Sequence, residues 1–524
     1  MTTVMTPPHA DAVVRSISPA AHVARALGRR VVQFAGAGAT AAYDRRFYPQ
    51  RFDEAIEVAL PRMRAPQRAG AVARRGGDVS RRGGEVSRRG GEVSHREGEV
   101  SRRDGEVSRR EGDVSRRGEG GPRVPHVVQV IGSLGAGGAE RQLASFIAAS
   151  QRSGLVRHTV ITCHPAVGAA GHYRRVLEDA GVEIRTAGER LGGRAAERIR
   201  GDRALRRRMF AIPLSLGHEP VEIAGEFLDL EPDFVHAWLD HTNIFAGAAA
   251  LVTGAPEVIL SLRSLAPTHF PAMLRDWMLP WYRVLAREDH VRLVANSEAG
   301  ADDYARWIGI ARDRIGVVRN GFDAEQFASP TPTAVERVRT ELGAAGRPLV
   351  LGVFRVGDEK NPHHFVHVAR RVLARRPDCV FAVAGDGPML GDLRRFTEDL
   401  GCSLVALGRR DDIPALIAAA DAMLLCSRVE GLPNVLVEAQ ALGCPVVATD
   451  AGGTRETMQP GTTGFLRKIG DIDGLTDDIL RLLGDPPLRS KVSAEAQAFA
   501  RGRFPLERMV RETHALYGVG DGGI

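Results

Sequence analysis

From Pro125 onward the chain alternates short apolar runs with longer amphipathic segments. The first unit, HVVQVIGSLGAGGAERQLASFIAAS, predicts a strand, a glycine loop and a helix: a run rich in branched side chains, then glycines, then apolar positions at helical spacing. HTVITC, FVHAW, EVILSL and RLVAN repeat the strand texture with helical segments between them. That is the pattern of a parallel sheet whose crossovers cover its faces. The series runs to about Phe322. A second series starts at RPLVLGVFRV and passes through CVFAVAGDGP, SLVALG and AMLLCS to PVVATD, again with helices between strands. In the final segment, PLERMVRETHALYG, residues Leu506, Met509, Val510, Thr513, Leu516 and Tyr517 share one helical face suited to docking on other helices.

The fold class expected is α/β, with two doubly wound, Rossmann-like domains in series. The expected divisions are a poorly defined extension over 1–73, a linker over 74–120, a first domain over 121–325, a second over 326–505 and a C-terminal helix over 506–524 that packs back toward the first domain. A chain of 524 residues accommodates this number of cores.

Residues 74–117 carry a seven-residue tandem repeat of the type RRGGEVS. A period of seven suggests a coiled coil, but each unit holds one apolar residue where a seam needs two. Its glycines each cost about 1 kcal/mol in a helix. The tract reads as a disordered polyampholyte, either a plain linker or an arm that binds a partner. Upstream, DEAIEVALPRM predicts a short helix.

The net charge of +7 and pI near 9.5 raise the question of nucleic acid. The repeat tract, however, holds 13 Arg against 9 Asp or Glu and so accounts for more than half of the excess. The rest is only weakly basic, and no nucleic-acid partner is expected. The longest apolar runs fall far below the ~20 residues that span a bilayer. The opening MTTVMTPPHADAVVRS lacks the apolar core of a signal peptide, and the expected location is the cytoplasm. Five scattered cysteines without Cys-x-x-Cys spacing indicate neither disulfides nor zinc. The stretch 188–210 carries an arginine cluster that could meet acidic lipid headgroups at the inner face of the plasma membrane, or could be a solvated loop.

Two doubly wound domains leave a cleft between the carboxyl ends of their strands, where such sheets bind ligands. SRVEGLPNVLVEAQ places Glu430 directly after a predicted strand and Glu438 about one turn into a helix that starts near Pro433 and Asn434. Backbone N–H groups of that first turn, at Asn434, Val435 and Leu436, suit a diphosphate. Glu438 could accept ribose hydroxyls, and Glu430 those of a sugar. Anionic phosphates beside two carboxylates need cations, and FRVGDEKNP supplies Arg355 and Lys360 at the end of another strand. No Asp-x-Asp metal site is found; DID at 471–473 reads as a helix start.

Taken in order, SLGAGGAER, VANSEAG, VVRNGFD, Arg355 with Lys360, AGDGP, LGRRDDIPALIAAAD and the paired glutamates resemble the retaining GT-B glycosyltransferases of family 4. The resemblance covers about residues 125 to 518. It implies transfer of a sugar from a UDP- or GDP-sugar donor to a glycan or lipid-linked acceptor, without metal or other cofactor, in polysaccharide or glycolipid biosynthesis. Arg355 and Lys360 match the pair that clamps the diphosphate, Glu430 the sugar-holding acid and Glu438 the ribose-holding acid. Gly385, Asp386 and Gly387 would lie by the nucleotide, and Gly135, Gly137 and Gly138 would let backbone approach donor or acceptor. Many relatives carry a histidine in a T-x-H segment near the reacting sugar, whereas ILSLRSL here offers Arg263, a candidate anion contact. His236 and His241 lie nearby, more in keeping with structural histidines than with catalytic ones. Two other readings stay open: a GT-B epimerase acting on a nucleotide sugar, and a non-catalytic GT-B scaffold using the repeat as its arm.

Overall fold

The computed structural model describes residues 59–66, 123–189, 193–325 and 327–520. The repeat tract and nearly all of the expected N-terminal extension lie outside these residues, as does the expectation that the tract is disordered.

Thirteen strands among the described residues form two parallel sheets. The first contains β1 (His126–Ile131), β2 (Arg157–Thr162), β3 (Glu183–Thr186), β4 (Phe234–Trp238), β5 (Val258–Leu262), β6 (Val291–Ala295) and β7 (Ile315–Val317) in the order β3-β2-β1-β4-β5-β6-β7. The second contains β8 (Leu349–Val353), β9 (Val380–Ala384), β10 (Leu404–Gly408), β11 (Ala422–Leu425), β12 (Val446–Thr449) and β13 (Gly464–Arg467) in the order β10-β9-β8-β11-β12-β13. Central strands are buried on both faces, as β1 and β4 are over their whole length, and this is why they read as continuous apolar runs. In each sheet the order reverses at one point, between β1 and β4 and between β8 and β11. Ligands of open α/β sheets bind outside the carboxyl ends of strands at such points.

The helices that position the site are α1 (Gly138–Arg152), which follows β1, α2 (Asp240–Thr253) after β4, α3 (Glu298–Ile308) after β6, α4 (Pro362–Arg375) after β8, α5 (Asn434–Ala441) after β11, and the last helix, α6 (Leu506–Leu516). Leu506, Met509, Val510 and Tyr517 are buried with Val127, Phe146, Ile147 and Phe234 of the first sheet's layer. His514 is buried on this face while Leu516 is only half-buried. The chain crosses between the two layers at a tight junction, where Phe322 N donates to Phe504 O at 2.6 Å.

Residues 59–63 are helical, and Ala59 and Met63, one turn apart, are fully buried in the core of the first sheet. Ala65 N donates to Leu251 O at 2.9 Å, and Arg64 pairs with Glu288 at 2.5 Å. The last residues of DEAIEVALPRM, read as a short helix, are thus helical, and this segment preceding the tract packs into the first core.

Candidate active site

The loops after β8 and β11 bring the expected lysine and glutamate together. Lys360 closes the short turn Asp358–Lys360, and Asn361 takes up a left-handed conformation (φ 53°) that turns the chain into α4. Its ammonium donates to Glu430 Oε1 at 2.6 Å, and Ser427 Oγ donates to the same oxygen at 2.6 Å. Glu430 is 6% exposed, so this carboxylate is held on the floor of the cleft. Arg355 is placed differently. Its side chain is 62% exposed and pairs with Glu359 at 3.0 Å, on the rim.

Gly385 and Gly387 are needed because the loop after β9 crosses the loop that carries Arg355 with no room for a side chain. A Cβ on Gly385 would lie 1.9 Å from Phe354 O, and one on Gly387 2.4 Å from Val356 O. Between them, Asp386 O accepts from Val356 N at 2.9 Å and its carboxylate accepts from Gly387 N at 2.7 Å. The Gly-Asp-Gly turn thus seats Arg355.

Helix α5 starts against the first domain. Asn434 Nδ2 donates to Gly138 O at 3.3 Å, while its Oδ1 accepts from Asn320 Nδ2. Leu436 is buried in the second core and Val435 is half-buried, so these residues offer backbone rather than side chain to the cleft. One turn on, buried Glu438 accepts a hydrogen bond and ion pair from Arg141 of α1, whose guanidinium also lies 5.2 Å from the centre of the Phe327 ring. Burial raises the Glu438 carboxyl above the usual carboxylate range, and Arg141 opposes the rise. Gly137 is the N-cap of α1; a Cβ there would meet the Glu140 carboxylate at 2.0 Å. Burial raises Glu140 as well.

Arg263, at the end of β5, stacks over Trp238 at 4.6 Å and donates to Asn320 Oδ1. Its backbone lies against the loop of the second glutamate-bearing layer, for a Cβ on Gly431 would meet Arg263 O at 2.9 Å and Ser264 Cα at 2.8 Å. His236 is not presented to the cleft. Both its ring nitrogens are engaged inside the fold, Nδ1 with Tyr517 Oη at 2.6 Å and Nε2 with Ser261 Oγ at 2.7 Å. Burial, with Arg263 second, holds it well below the ordinary histidine pKa.

The two layers are further joined by Glu456, whose carboxylate caps α3 by accepting from Glu298 N at 3.1 Å and Ala299 N at 3.0 Å, and pairs with Arg319 at 3.0 Å. An acid at a helix N-terminus is favourably placed. Among the described residues no group of three or more His, Cys, Asp or Glu could hold a metal ion, and no helix is long and apolar enough to cross a membrane.

Residues 136–326 match the family described as Glycosyltransferase Family 4, and residues 335–499 the family described as Glycosyl transferases group 1. The 2-deoxystreptamine N-acetyl-D-glucosaminyltransferase of Streptomyces fradiae is 31% identical over 310 residues, covering 56% of this chain and 73% of that one. The chain belongs to glycosyltransferase family 4. This glycosyltransferase is also 28% identical over 399 residues to the Vi polysaccharide biosynthesis protein VipC/TviE of Salmonella typhi, covering 72% of this chain and 69% of that one. Its fold is that of the Anabaena protein Alr3699/HepE, solved in complex with UDP and glucose: TM-score 0.61 at 22% identity, covering 75% of this chain and 99% of the other. The fold is accordingly GT-B.

Of the expected residues, Lys360 meets Glu430, Asn434 and Glu438 of α5 meet Gly138 and Arg141 of α1, and Arg355 is exposed and pairs with Glu359. Arg141, Ser427 and Asn320 were not among the expected residues. Arg141 had one signal: a cation in the first turns of a helix, the end that favours anions.

Proposed function

We propose that the enzyme transfers a hexosyl unit, with retention at the anomeric carbon, from a UDP- or GDP-sugar to a glycan or lipid-linked acceptor in polysaccharide or glycolipid assembly. The observation that carries this reading is the pairing of the buried acid Glu430 with Lys360, at the end of the turn after β8, next to the start of the helix that bears Glu438. Glu438 takes the ribose hydroxyls, the first turn of α5 takes the diphosphate through backbone N–H groups, and Glu430 takes sugar hydroxyls. Lys360 stabilises charge on the departing phosphate. Arg355, free to leave Glu359 at the rim, adds a second cation. The acceptor oxygen forms its bond to the anomeric carbon on the face from which the phosphate oxygen departs. Its proton passes to that phosphate oxygen, so no protein nucleophile is required.

The name of the Salmonella relative supports a role in polysaccharide synthesis, and UDP in the Anabaena structure supports a uridine donor. The setting proposed is the cytoplasm, with peripheral contact to acidic lipid. On helices Gly193–Gly201 and Arg203–Phe210, Arg194, Arg200, Arg203 and Arg207 are exposed beside Phe210, which is 61% exposed. A screen of UDP- and GDP-sugars for nucleoside diphosphate release, with and without glycan acceptors, tests the reading. Release from one donor, slowed about a hundredfold in Lys360→Met, is the expected result; no release from any donor would refute it.

A further inference from the structure

We propose that Arg263 and Trp238 form an anion subsite in the cleft, and that it takes an anionic group carried by the donor, with a carboxylate on the transferred sugar as the favoured source. The proposal rests on the donor reading above and extends it to the class of sugar.

Arg263 is half-buried, yet among the described residues its guanidinium forms no ion pair. Its one side-chain partner is Asn320 Oδ1, its face is covered by the Trp238 ring, and its Nε–H is buried with no acceptor. Buried charges are ordinarily paired, and an unpartnered buried donor calls for a cause. Burial draws the Arg263 pKa down to about 9, which still leaves it charged at neutral pH. Trp238 is itself fixed, donating from Nε1 to Gln129 Oε1 at 2.8 Å, so the ring is a rigid platform for the cation.

The place is also informative. The Arg263 backbone touches Gly431, next to Glu430, and through Asn320 its side chain is linked to Asn434, the first residue of α5. An anion at Arg263 would therefore lie between the sugar-holding acid and the diphosphate-facing helix start. The diphosphate already has Lys360, Arg355 and that helix start. A sugar carboxylate beside Glu430 would otherwise share Lys360 with that acid and the diphosphate, and a planar guanidinium matches a carboxylate in two-pronged contact.

The test uses the full-length protein and its Arg263→Gln, Arg263→Lys and Arg263→Met variants. Calorimetry with UDP, UDP-glucose and UDP-glucuronate separates the two sources. A loss of about tenfold to a hundredfold in Arg263→Gln for UDP-glucuronate alone is expected, the scale of a hydrogen bond to a charged group. Arg263→Lys should recover only part of it. An equal loss for all three ligands would keep the anion subsite and assign it to the diphosphate. Unchanged affinity for all three overturns the proposal. Should the wild type bind none of them, the uridine donor falls, and thermal shifts with sodium glucuronate and inorganic pyrophosphate still decide on Arg263: a shift absent in Arg263→Gln supports the subsite, and wild-type behaviour in the variant overturns it. Arg263→Met supplies the control for a structural role. Its melting temperature without ligand should equal or exceed that of the wild type, because a half-buried unpaired cation has been removed; a clear drop together with unaltered ligand response would mark Arg263 as a packing residue and overturn the proposal.

Discussion

A single carboxylate oxygen of Glu430 receives both Lys360 and Ser427, and this shared contact divides the labour among the cations. Lys360 is placed by its neighbours before any ligand arrives, whereas Arg355 has to leave Glu359. Lys360→Met should therefore lower kcat by about a hundredfold, the scale for losing one preorganised stabilising group. Steady-state rates with saturating donor check this, and a change confined to KM would contradict the assigned role. Arg141 acts through Glu438. Burial raises the Glu438 carboxyl and Arg141 draws it back, so removing the guanidinium lets the carboxyl take up a proton at higher pH. A protonated carboxyl accepts ribose hydroxyls less well. In Arg141→Met the pH below which donor KM climbs should move up by about one unit; an unmoved acid limb would make Arg141 a mere tether between layers. The glutamates were legible in the sequence because each sits at a fixed offset from a strand or helix start. Arg141 was not, since its partner lies 297 residues away and an isolated arginine on a helix reads as surface charge.

At the level of elements, strands buried on both faces announced themselves, while three of the four edge strands, β3, β7 and β13, did not. β3 has no fully buried position, β7 spans three residues, and β13 begins with glycine and ends half-exposed. Edges need no continuous apolar run, so periodicity passes over them. The helix of segment 59–66 was legible, but its docking was not. DEAIEVALPRM has too little apolar surface to indicate where it packs, and only the fold shows Ala59 and Met63 inside the first core. Met63→Ala should destabilise the protein by about 2 kcal/mol or more, as for other fully buried methionines. A chain beginning near Gly121 should melt lower than the full chain for the same reason. Urea unfolding of both, against the full-length protein, measures the effect; equal midpoints would show that the segment adds nothing to the fold.

For the whole molecule, the two layers are joined by Asn434 on Gly138, Arg141 on Glu438, and Glu456 on the start of α3. On the proposed donor reading, Asn434 and Glu438 would couple donor binding to the orientation of the layers. On the outer surface, replacing Arg194, Arg200, Arg203 and Arg207 by glutamine should reduce binding to phosphatidylglycerol vesicles at least tenfold, given roughly 1 kcal/mol for each basic contact. Binding to phosphatidylcholine vesicles should not change, and equal sedimentation of both proteins with anionic vesicles would dismiss the membrane contact. The central claim is that Glu430 and Glu438 grip opposite ends of one nucleotide sugar. Calorimetric titration of Glu430→Ala and Glu438→Ala with the free nucleoside diphosphate and with its sugar ester tests it most directly. Glu438→Ala should weaken both ligands alike, and Glu430→Ala only the sugar ester; a Glu430→Ala protein that loses the free nucleoside diphosphate as severely as the ester would contradict the claim.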